Sequence, residues 1–260
     1  MAEHQCGGCG GCGGQKDEPV SQGAASNPLS QVKKIIGISG KGGVGKSLVT
    51  GLLANGLIRQ GKSIAIFDAD IACPTIPLMF DLPQGVTRGD AGLYPAMTDG
   101  GLRVMSISLL TEQETDLVST RGATQAAIVE QLFSTVIWGE ADFILLDLPP
   151  GLYDVAQLAF ERIPLDGLLV VTTPQELVGQ VTKRTIALAQ SLNVPILGLV
   201  ENFCESFGGT ATDTLSQTFD LPILDRLPLD PLLSTAADGG KLEEFETPYL
   251  SHTIQTLETL

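Results

Sequence analysis

Residues 35–47 of this chain read Ile35-Ile36-Gly37-Ile38-Ser39-Gly40-Lys41-Gly42-Gly43-Val44-Gly45-Lys46-Ser47. The apolar, β-branched first part of this stretch predicts a buried strand. The second part is a glycine-rich turn that fits the phosphate-binding pattern G-x-x-x-x-G-K-S from Gly40 to Ser47. A turn that only lets a helix pack closely on a strand does not require a lysine followed by a hydroxyl. The stretch therefore predicts a strand, a phosphate-binding loop and a helix, which together begin an α/β nucleotide-binding domain.

The residue types of this loop match the chemistry of a nucleoside triphosphate. Glycines allow backbone N–H groups to surround a polyphosphate, and the following helix presents its positive amino-terminal end. Lys46 is expected to reach the β- and γ-phosphates, and the Ser47 hydroxyl is expected to bind Mg²⁺. We therefore predict an ATP- and Mg²⁺-dependent hydrolase. Its predicted nucleotide-binding residues in the loop are Gly40, Lys41, Gly42, Gly43, Val44, Gly45, Lys46 and Ser47.

A second lysine, Lys41, directly follows the first glycine of the loop. The resulting Gly-Lys-Gly-Gly-Val-Gly-Lys-Ser resembles the deviant Walker A signature of an ATPase group. That group includes MinD, ParA, the nitrogenase iron protein and the Mrp/NBP35 iron–sulfur cluster carriers. The extra lysine of those proteins reaches the partner's nucleotide across a dimer interface, so the resemblance implies an ATP-dependent homodimer in which Lys41 and Lys46 are catalytic. Taken alone, Lys41 is also compatible with a solvated turn lysine.

Length and charge restrict the class of protein. The chain has 260 residues, enough for one large α/β domain with a full core. Its 30 acidic and 15 basic residues give a net charge of −15, which disfavours nonspecific binding to nucleic acid or to anionic membranes. The amino terminus lacks an apolar signal region, and no apolar run approaches the length of a membrane span. We expect a cytoplasmic protein without a nucleic-acid or membrane partner.

The first thirty residues differ in composition from the rest of the chain. Residues 1–30 are rich in glycine and polar residues and are expected to form a flexible tail, and residues 31–260 are expected to form the P-loop ATPase domain. Cys6, Cys9 and Cys12 stand at C-x-x-C spacing among glycines, which suits thiolate coordination of a metal or an iron–sulfur cluster. The alternative is a glycine tail with incidental thiols.

The cysteine count supports metal or redox chemistry. The chain has five cysteines, an odd number, and no signal region, so a disulfide framework is disfavoured. The three tail thiolates are one short of a four-cysteine cluster site. The fourth ligand is open between His4, a cysteine elsewhere, a partner chain and an exogenous group. Mrp/NBP35 carriers also have an amino-terminal cysteine cluster, but theirs contains four cysteines at wider spacing.

Two further segments place carboxylates after predicted buried strands. The first strand, 62–67, ends in Asp68-Ala69-Asp70 and a later Pro74, and this resembles the switch I pattern Asp-x-Asp-x-x-x-Pro. The resemblance implies that Asp68 supports Mg²⁺ and that Asp70 positions the attacking water. The alternative is a pair of solvated loop aspartates. The neighbouring Cys73 is expected to be a buried, inert thiol.

The second strand, 142–147, ends in Asp147, and a carboxylate at that point fits the Walker B role in the Mg²⁺ shell. The Leu-Pro-Pro-Gly sequence that follows, 148–151, resembles the Mrp/NBP35 switch II. The next residues depart from that pattern, although Asp154 is kept. A rigid proline turn without function is the alternative.

The segment after the strand at 195–200 contains two more candidates. Relatives use the asparagine at the position of Asn202 to hydrogen-bond adenine, and the alternative is a strand-end turn residue. Mrp/NBP35 proteins follow it with a C-x-x-C loop whose thiolates bridge a 4Fe–4S cluster across the dimer, whereas this chain has only Cys204. A dimer would supply only two such thiolates. A shared cluster would need other ligands, such as the amino-terminal triplet, or else the scaffold function has moved or been lost.

The order of the remaining segments predicts the architecture. Helices are expected at 47–60 and 124–137, and a helix after Thr173 is expected to bury Leu177, Val181, Leu188 and Leu192. Residues 82–101 are expected to form a long loop. Strands that alternate with helices predict a doubly wound, mostly parallel sheet with ligand-binding residues at the carboxyl ends of its strands. The resemblance implies a P-loop NTPase of the MinD-like (SIMIBI) group.

Two hypotheses for the function follow. The cysteine triplet and the acidity favour an ATPase that carries or assembles iron–sulfur clusters, works as a nucleotide-dependent dimer and delivers clusters to apo recipient proteins. The competing hypothesis is a positioning or regulatory ATPase of the MinD/ParA kind without metal. A nickel-insertion ATPase resembling CooC would also use cysteines at a dimer interface.

Overall fold

The computed structural model describes residues 25–110, 123–151, 155–246 and 248–260. Its strands are β1 (Gln31–Gly40), β2 (Ile64–Asp68), β3 (Thr87–Gly89), β4 (Gly92–Tyr94), β5 (Ala96–Met97), β6 (Arg103–Ser106), β7 (Glu140–Asp147), β8 (Gly167–Thr172), β9 (Ile196–Asn202) and β10 (Ile223–Leu227). Its α-helices are α1 (Lys46–Arg59), α2 (Ile76–Met79), α3 (Ala123–Thr135), α4 (Val155–Arg162), α5 (Glu176–Ser191), α6 (Ala211–Phe219), α7 (Pro231–Asp238) and α8 (Ser251–Glu258). Short 3-10 helices cover Ile107–Leu109 and Leu242–Glu244.

A single eight-stranded sheet organises these elements in the order β10-β9-β8-β1-β7-β2-β6-β5. All neighbouring strands run parallel except β5, which pairs antiparallel with β6 at one edge. The chain moves outward from β1 in both directions, and helices cover both faces. This confirms the prediction of a doubly wound, mostly parallel sheet.

The sheet separates two apolar layers. On one face, Ile36 and Ile38 of β1 join a core that includes residues of α1, α7 and α8. On the other face, Ile35 joins a core that includes residues of α3, α4, α5 and α6. The rings of Phe67, Phe133 and Trp138 form the bulkiest part of this second core, with centroids 5.6–6.1 Å apart. Alternation along β1 therefore buries both faces of the strand, as its apolar sequence predicts.

The predicted long loop at 82–101 is wrong in part. It contains the antiparallel hairpin of β3 and β4 and the edge strand β5. Every residue of β3 is exposed, and β5 has only two residues. Strands this short and this exposed leave no alternating apolar pattern by which the sequence alone would identify them.

The buried face of α5 differs from the prediction in part. Leu188 and Leu192 are partly buried and pack against the second core, as predicted, but Leu177 is 82% exposed. The residues that α5 buries against the sheet and its neighbours include Val178, Thr182, Ile186 and Ala189. These positions have helical spacing, but Thr182 carries a hydroxyl. In the sequence, the predicted set of Leu177, Val181, Leu188 and Leu192 is therefore the stronger apolar pattern. The expectation of a buried Cys73 is wrong as well, since that residue is exposed.

A helix that crosses a bilayer must be both long and apolar. Within the described ranges, no helix reaches the combination needed to cross a membrane.

Candidate nucleotide-binding site

The phosphate-binding loop connects the carboxyl end of β1 to the first residue of α1. A Cβ atom at Gly40 would lie 2.2 Å from the Val171 carbonyl oxygen, so only glycine allows β1 to approach β8 there. Gly45 has φ = +90° and stands at the N-cap of α1, a conformation that glycine adopts without strain. The predicted loop therefore forms, and its glycines are required by the backbone itself.

Lys46 is the first residue of α1, and it is only 7% exposed. Burial lowers the pKa of its ammonium group, while the carboxylates of Asp147 and Asp70 act in the opposite direction. The predicted catalytic lysine and two of the predicted carboxylates thus lie within electrostatic reach of one another.

Ser47 and Asp147 meet directly. The Ser47 hydroxyl donates a hydrogen bond to Asp147 Oδ2 at 2.5 Å. The hydroxyl of Thr50, one turn further along α1, shares its proton between Asp147 Oδ1 at 3.2 Å and the Lys46 carbonyl oxygen at 3.0 Å. Both carboxylate oxygens of Asp147 are therefore held by hydroxyl groups of the helix that follows the loop.

Asp68 lies directly beside Asp147, because the two residues are register partners on the parallel strands β2 and β7. Asp68 Oδ2 accepts a hydrogen bond from the Ser106 hydroxyl at 3.1 Å, and Oδ1 accepts one from the Asp70 backbone N–H at 3.2 Å. Ser106 is the residue paired with Asp68 on the other neighbouring strand, β6. Sheet register thus aligns Ser106, Asp68 and Asp147 in one row at the carboxyl edge of the sheet.

Burial controls the protonation of this carboxylate pair. Asp147 is only 1% exposed, and burial raises its pKa to about 6 although Ser47, Lys46 and Thr50 stabilise its charged form. Burial, followed by the charge of Asp147, raises the pKa of Asp68 well above its usual range. A divalent cation favours oxygen ligands of this kind, and its charge would stabilise both carboxylates in their ionised form. The residues present therefore fit Mg²⁺.

Asp70 occupies the loop that follows β2. Its side chain is half-buried, and Oδ1 accepts a hydrogen bond from the Cys73 backbone N–H at 3.1 Å. The charge of Asp70 partly opposes the lowering of the Lys46 pKa by burial. Its proposed contact with an attacking water stays a prediction.

Lys41 and the segment after Asp147 border the exposed side of the loop. The half-buried Lys41 side chain has no hydrogen-bond or ion-pair partner among the described residues. Pro150 lies against the loop, since a Cβ at Gly42 would be 3.3 Å from Pro150 Cβ. The predicted switch II segment is therefore in contact with the phosphate-binding loop, while Asp154 lies outside the described residues.

Asn202 ends β9 and is only 2% exposed. Its side-chain Nδ2 donates to the Val44 carbonyl at 2.9 Å, and its Oδ1 accepts from the Phe203 backbone N–H at 3.0 Å. The structure thus brings Asn202 to the loop, as predicted. The adenine contact stays a prediction.

Cys204 is the one predicted cluster cysteine within the described residues. Cys204 is half-buried, its backbone N–H donates to the Leu227 carbonyl at 3.0 Å, and burial together with the charge of Glu205 raises the pKa of its thiol. The structure does not describe Cys6, Cys9 and Cys12. In the part of the chain that it does describe, no three His, Cys, Asp or Glu side chains are grouped as a metal site.

Two residues of this site escaped the sequence analysis. Thr50 stands one helical turn beyond Lys46, on the same side of α1. This i, i+4 spacing could have identified Thr50 from the sequence as a residue of the site. Ser106 is a polar residue at the end of an apolar strand, which is the same signal that identified Asp68 and Asp147. Both residues bind carboxylates that are expected to face Mg²⁺.

Comparison with known proteins agrees with this geometry. A family model described as "NUBPL iron-transfer P-loop NTPase" matches residues 31–259. The chain is 35% identical over 241 residues to the iron-sulfur cluster carrier protein of Clostridium perfringens, with 85% of each chain covered. A nucleotide-binding protein of Archaeoglobus fulgidus, solved with ADP, superposes with a TM-score of 0.72 at 34% identity over 85% of this chain and 94% of that one.

The MinD cell division ATPase of Pyrococcus furiosus shares the fold, with a TM-score of 0.66 at 20% identity over 87% of this chain and 97% of that one. A glycine-rich loop, a buried lysine, and carboxylates at the carboxyl edge of a doubly wound sheet define a P-loop NTPase. Within that class, the chain belongs to the ParA-type NUBPL family of iron-transfer P-loop NTPases.

Proposed function

We propose that this chain is an ATP-hydrolysing iron–sulfur cluster carrier that works as a nucleotide-dependent homodimer. The match to an iron-transfer family across residues 31–259 carries the proposal. The name of the Clostridium perfringens relative, an iron-sulfur cluster carrier protein, supports it. The cargo is a 4Fe–4S cluster, and its acceptors are apo iron–sulfur proteins of the cytoplasm.

Each predicted residue takes a role that its position supports. Backbone N–H groups of the loop from Gly40 to Gly45 bind the polyphosphate of ATP, and the Lys46 ammonium neutralises charge on the β- and γ-phosphates. Asp70 orients the water that attacks the γ-phosphate. The oxygen of this water forms the new bond to the γ-phosphorus while the bond from the γ-phosphorus to the β,γ-bridging oxygen breaks. ADP leaves with the bridging oxygen, and the protons of the water stay on the inorganic phosphate that is released.

The Ser47 hydroxyl and the carboxylates of Asp68 and Asp147 would hold Mg²⁺, which would supply positive charge for the phosphates. Thr50 and Ser106 orient these carboxylates through the hydrogen bonds described above. The residues that surround the proposed ion are therefore fixed before nucleotide arrives, which reduces the cost of ordering them.

The dimer is supported by Lys41. Its half-buried side chain makes no hydrogen bond or ion pair with the described residues, so it is available to a partner's nucleotide. ATP between two chains would contact both, and its hydrolysis would weaken their association. Nucleotide state would in this way control when the cluster is held and when it is released.

The cluster itself is bound by thiolates of Cys6, Cys9, Cys12 and Cys204 in this proposal. The test is anaerobic reconstitution with iron and sulfide, followed by iron analysis and the visible absorption spectrum. Wild type is compared with Cys204→Ala and with a variant in which Cys6, Cys9 and Cys12 are all alanine. Cys73→Ala is a matched control, because Cys73 is an exposed thiol outside the proposed ligand set.

The outcomes separate the possible sites. Loss of the cluster only in the triple variant would place the ligands in the amino-terminal segment, and loss in Cys204→Ala as well would support a site shared across the dimer. A wild-type protein that binds no iron under these conditions would contradict the carrier proposal and favour a metal-free regulatory ATPase. An equal loss in Cys73→Ala would contradict the proposed ligand set.

A further inference from the structure

We propose that Asn202 is a positioning residue for the phosphate-binding loop and sets the affinity of the site for polyphosphate independently of the base. This inference rests on the nucleotide site proposed above. It assigns Asn202 a role different from adenine recognition, and the two roles predict different ligand profiles.

The hydrogen bonds of Asn202 are directed into the protein. Nδ2 donates to the carbonyl of Val44, inside the loop, and Oδ1 accepts from the backbone N–H of Phe203. The side chain is therefore anchored through both of its polar atoms. Because the residue is nearly fully buried, its amide group is far less available to a base than to the loop it contacts.

The loop is shaped around this side chain. A Cβ at Gly45 would come within 2.3 Å of Asn202 Nδ2, so the amide fills the space beside Gly45 that any larger residue would occupy. Gly45 takes φ = +90° directly after Val44, and its carbonyl accepts the hydrogen bond of Val49 N–H at 3.0 Å in the first turn of α1. The Asn202 amide thus contacts the loop where it turns into the helix.

The end of β9 is held in a fixed conformation by the same residue. Phe203 has φ = +58°, a left-handed conformation that is unfavourable for a bulky residue and persists only where its surroundings hold it. The Asn202 Oδ1 bond to Phe203 N–H is one such restraint. A strand end that is itself restrained provides a rigid support for the Val44 carbonyl.

A phosphate-binding loop works through the orientation of its N–H groups. Loss of the Asn202–Val44 bond would allow the loop to sample other conformations, and the cost of restoring the binding conformation would appear as weaker phosphate binding. That cost does not depend on what is attached to the phosphates. A positioning role therefore predicts an equal loss for ATP, GTP and inorganic tripolyphosphate, whereas an adenine contact predicts a loss for ATP alone.

The test compares Asn202→Asp and Asn202→Ala with wild type in competition binding of ATP, GTP and tripolyphosphate. Asn202→Asp keeps the acceptor for Phe203 N–H but replaces the donor to Val44 with an acceptor and adds a negative charge that itself repels phosphate, so the uncharged Asn202→Ala is the deciding variant for ligand affinity. Thr253→Val is the matched control. Thr253 lies on α8, is fully buried, and its hydroxyl donates a hydrogen bond to Asp225 at 2.6 Å. Both Asn202 variants should bind all three ligands about 10- to 100-fold more weakly, and Thr253→Val should match wild type.

Hydrogen–deuterium exchange provides a readout of the loop itself. In Asn202→Asp without nucleotide, peptides that cover residues 40–47 should exchange faster than in wild type, and in Thr253→Val they should not. Wild type offers a measurement that needs no variant. The side-chain amide signal of Asn202 in NMR should shift on addition of tripolyphosphate, which contains no base.

Three results would overturn the inference: a loss confined to ATP, unchanged affinities, or an equal loss in Thr253→Val. An Asn202 amide signal that responds to ATP but not to tripolyphosphate would also contradict it. Failure of wild type to bind any of the three ligands would contradict the proposed nucleotide site together with the inference, and this result is distinct from the other outcomes.

Discussion

The Ser47 hydroxyl donates a 2.5 Å hydrogen bond to the carboxylate of Asp147, although the two residues are 100 positions apart in the chain. Ser47 belongs to α1 and Asp147 ends β7, so the contact forms only when the parallel sheet places β7 beside β1. The phosphate-binding loop and the predicted Mg²⁺ carboxylate are therefore joined by the fold.

Lys46→Ala and Asp70→Ala should each lower ATP turnover at least about 100-fold, because each removes a charged group expected to act on the transferring phosphate. The fold should survive both changes, as judged by circular dichroism and thermal unfolding. Lys62→Ala is the control, since Lys62 is a half-exposed lysine that pairs with Glu258 at 3.5 Å. Normal turnover in Lys46→Ala would contradict the site assignment.

Lys41→Ala should impair dimerisation that depends on ATP, because the variant lacks the lysine expected to reach the partner's nucleotide. The measurement is the molar mass by light scattering with and without a nonhydrolysable ATP analogue. Lys183→Ala, which removes an exposed lysine of α5, should behave as wild type. A dimer of unchanged stability in Lys41→Ala would argue against the contact across the interface.

The buried Asp147 makes the stability of the nucleotide-free, metal-free protein depend on pH. Its pKa is raised to about 6 in the folded protein, so between roughly pH 4 and pH 6 the folded state binds more protons than the unfolded state. The stabilising effect of this proton is complete at the lower pH and is lost as the pH rises. The free energy of unfolding should therefore fall across that interval, and Asp68, whose pKa burial also raises, adds to the fall in the same direction.

Asp147→Asn is the variant that tests this, because it keeps the shape of the side chain and cannot ionise. Denaturant unfolding at several pH values in the presence of a chelator should show a flatter profile for Asp147→Asn than for wild type. Profiles with the same slope would mean that Asp147 does not carry the effect. Addition of Mg²⁺ with nucleotide should remove the wild-type fall, since a cation favours the ionised carboxylate.

Thr50→Val should raise the Mg²⁺ concentration that supports half-maximal ATP hydrolysis about 10-fold or more, because Thr50 orients Asp147 through a 3.2 Å hydrogen bond. Valine preserves the size of the side chain and removes only the hydroxyl. Thr182→Val is a matched control, as Thr182 is a buried helical threonine that bonds the Val178 carbonyl and Thr172 instead of a carboxylate. An unchanged Mg²⁺ requirement in Thr50→Val would remove Thr50 from the site.

The sequence was sufficient for the parts of the molecule that have a strong local pattern. The apolar run of β1, the glycines of the loop, and the aspartates that end β2 and β7 each carry such a pattern. Their assembly at one edge followed from the geometry of parallel sheets. The fold class could therefore be predicted, and so could the meeting of the loop with the aspartates that end β2 and β7.

The parts that could not be predicted depend on tertiary contacts. Leu177 is exposed while the neighbouring Val178 is buried, which reflects where α5 lies on the sheet. The inward hydrogen bonds of Asn202 depend on the approach of β9 to the loop, and neither residue identity nor spacing reports that distance. Ser106 is identified as a partner of Asp68 only by the register of β6 against β2.

Cluster transfer to an apo protein is the direct test of whether this chain carries iron–sulfur clusters. Anaerobically reconstituted protein is mixed with an apo enzyme that needs a 4Fe–4S cluster, and recovery of enzyme activity is followed with and without ATP and a chelator of free iron. We predict recovery with wild type in the presence of the chelator, and none with a variant in which Cys6, Cys9, Cys12 and Cys204 are alanine. Equal recovery with both proteins, or no recovery with wild type, would contradict the claim.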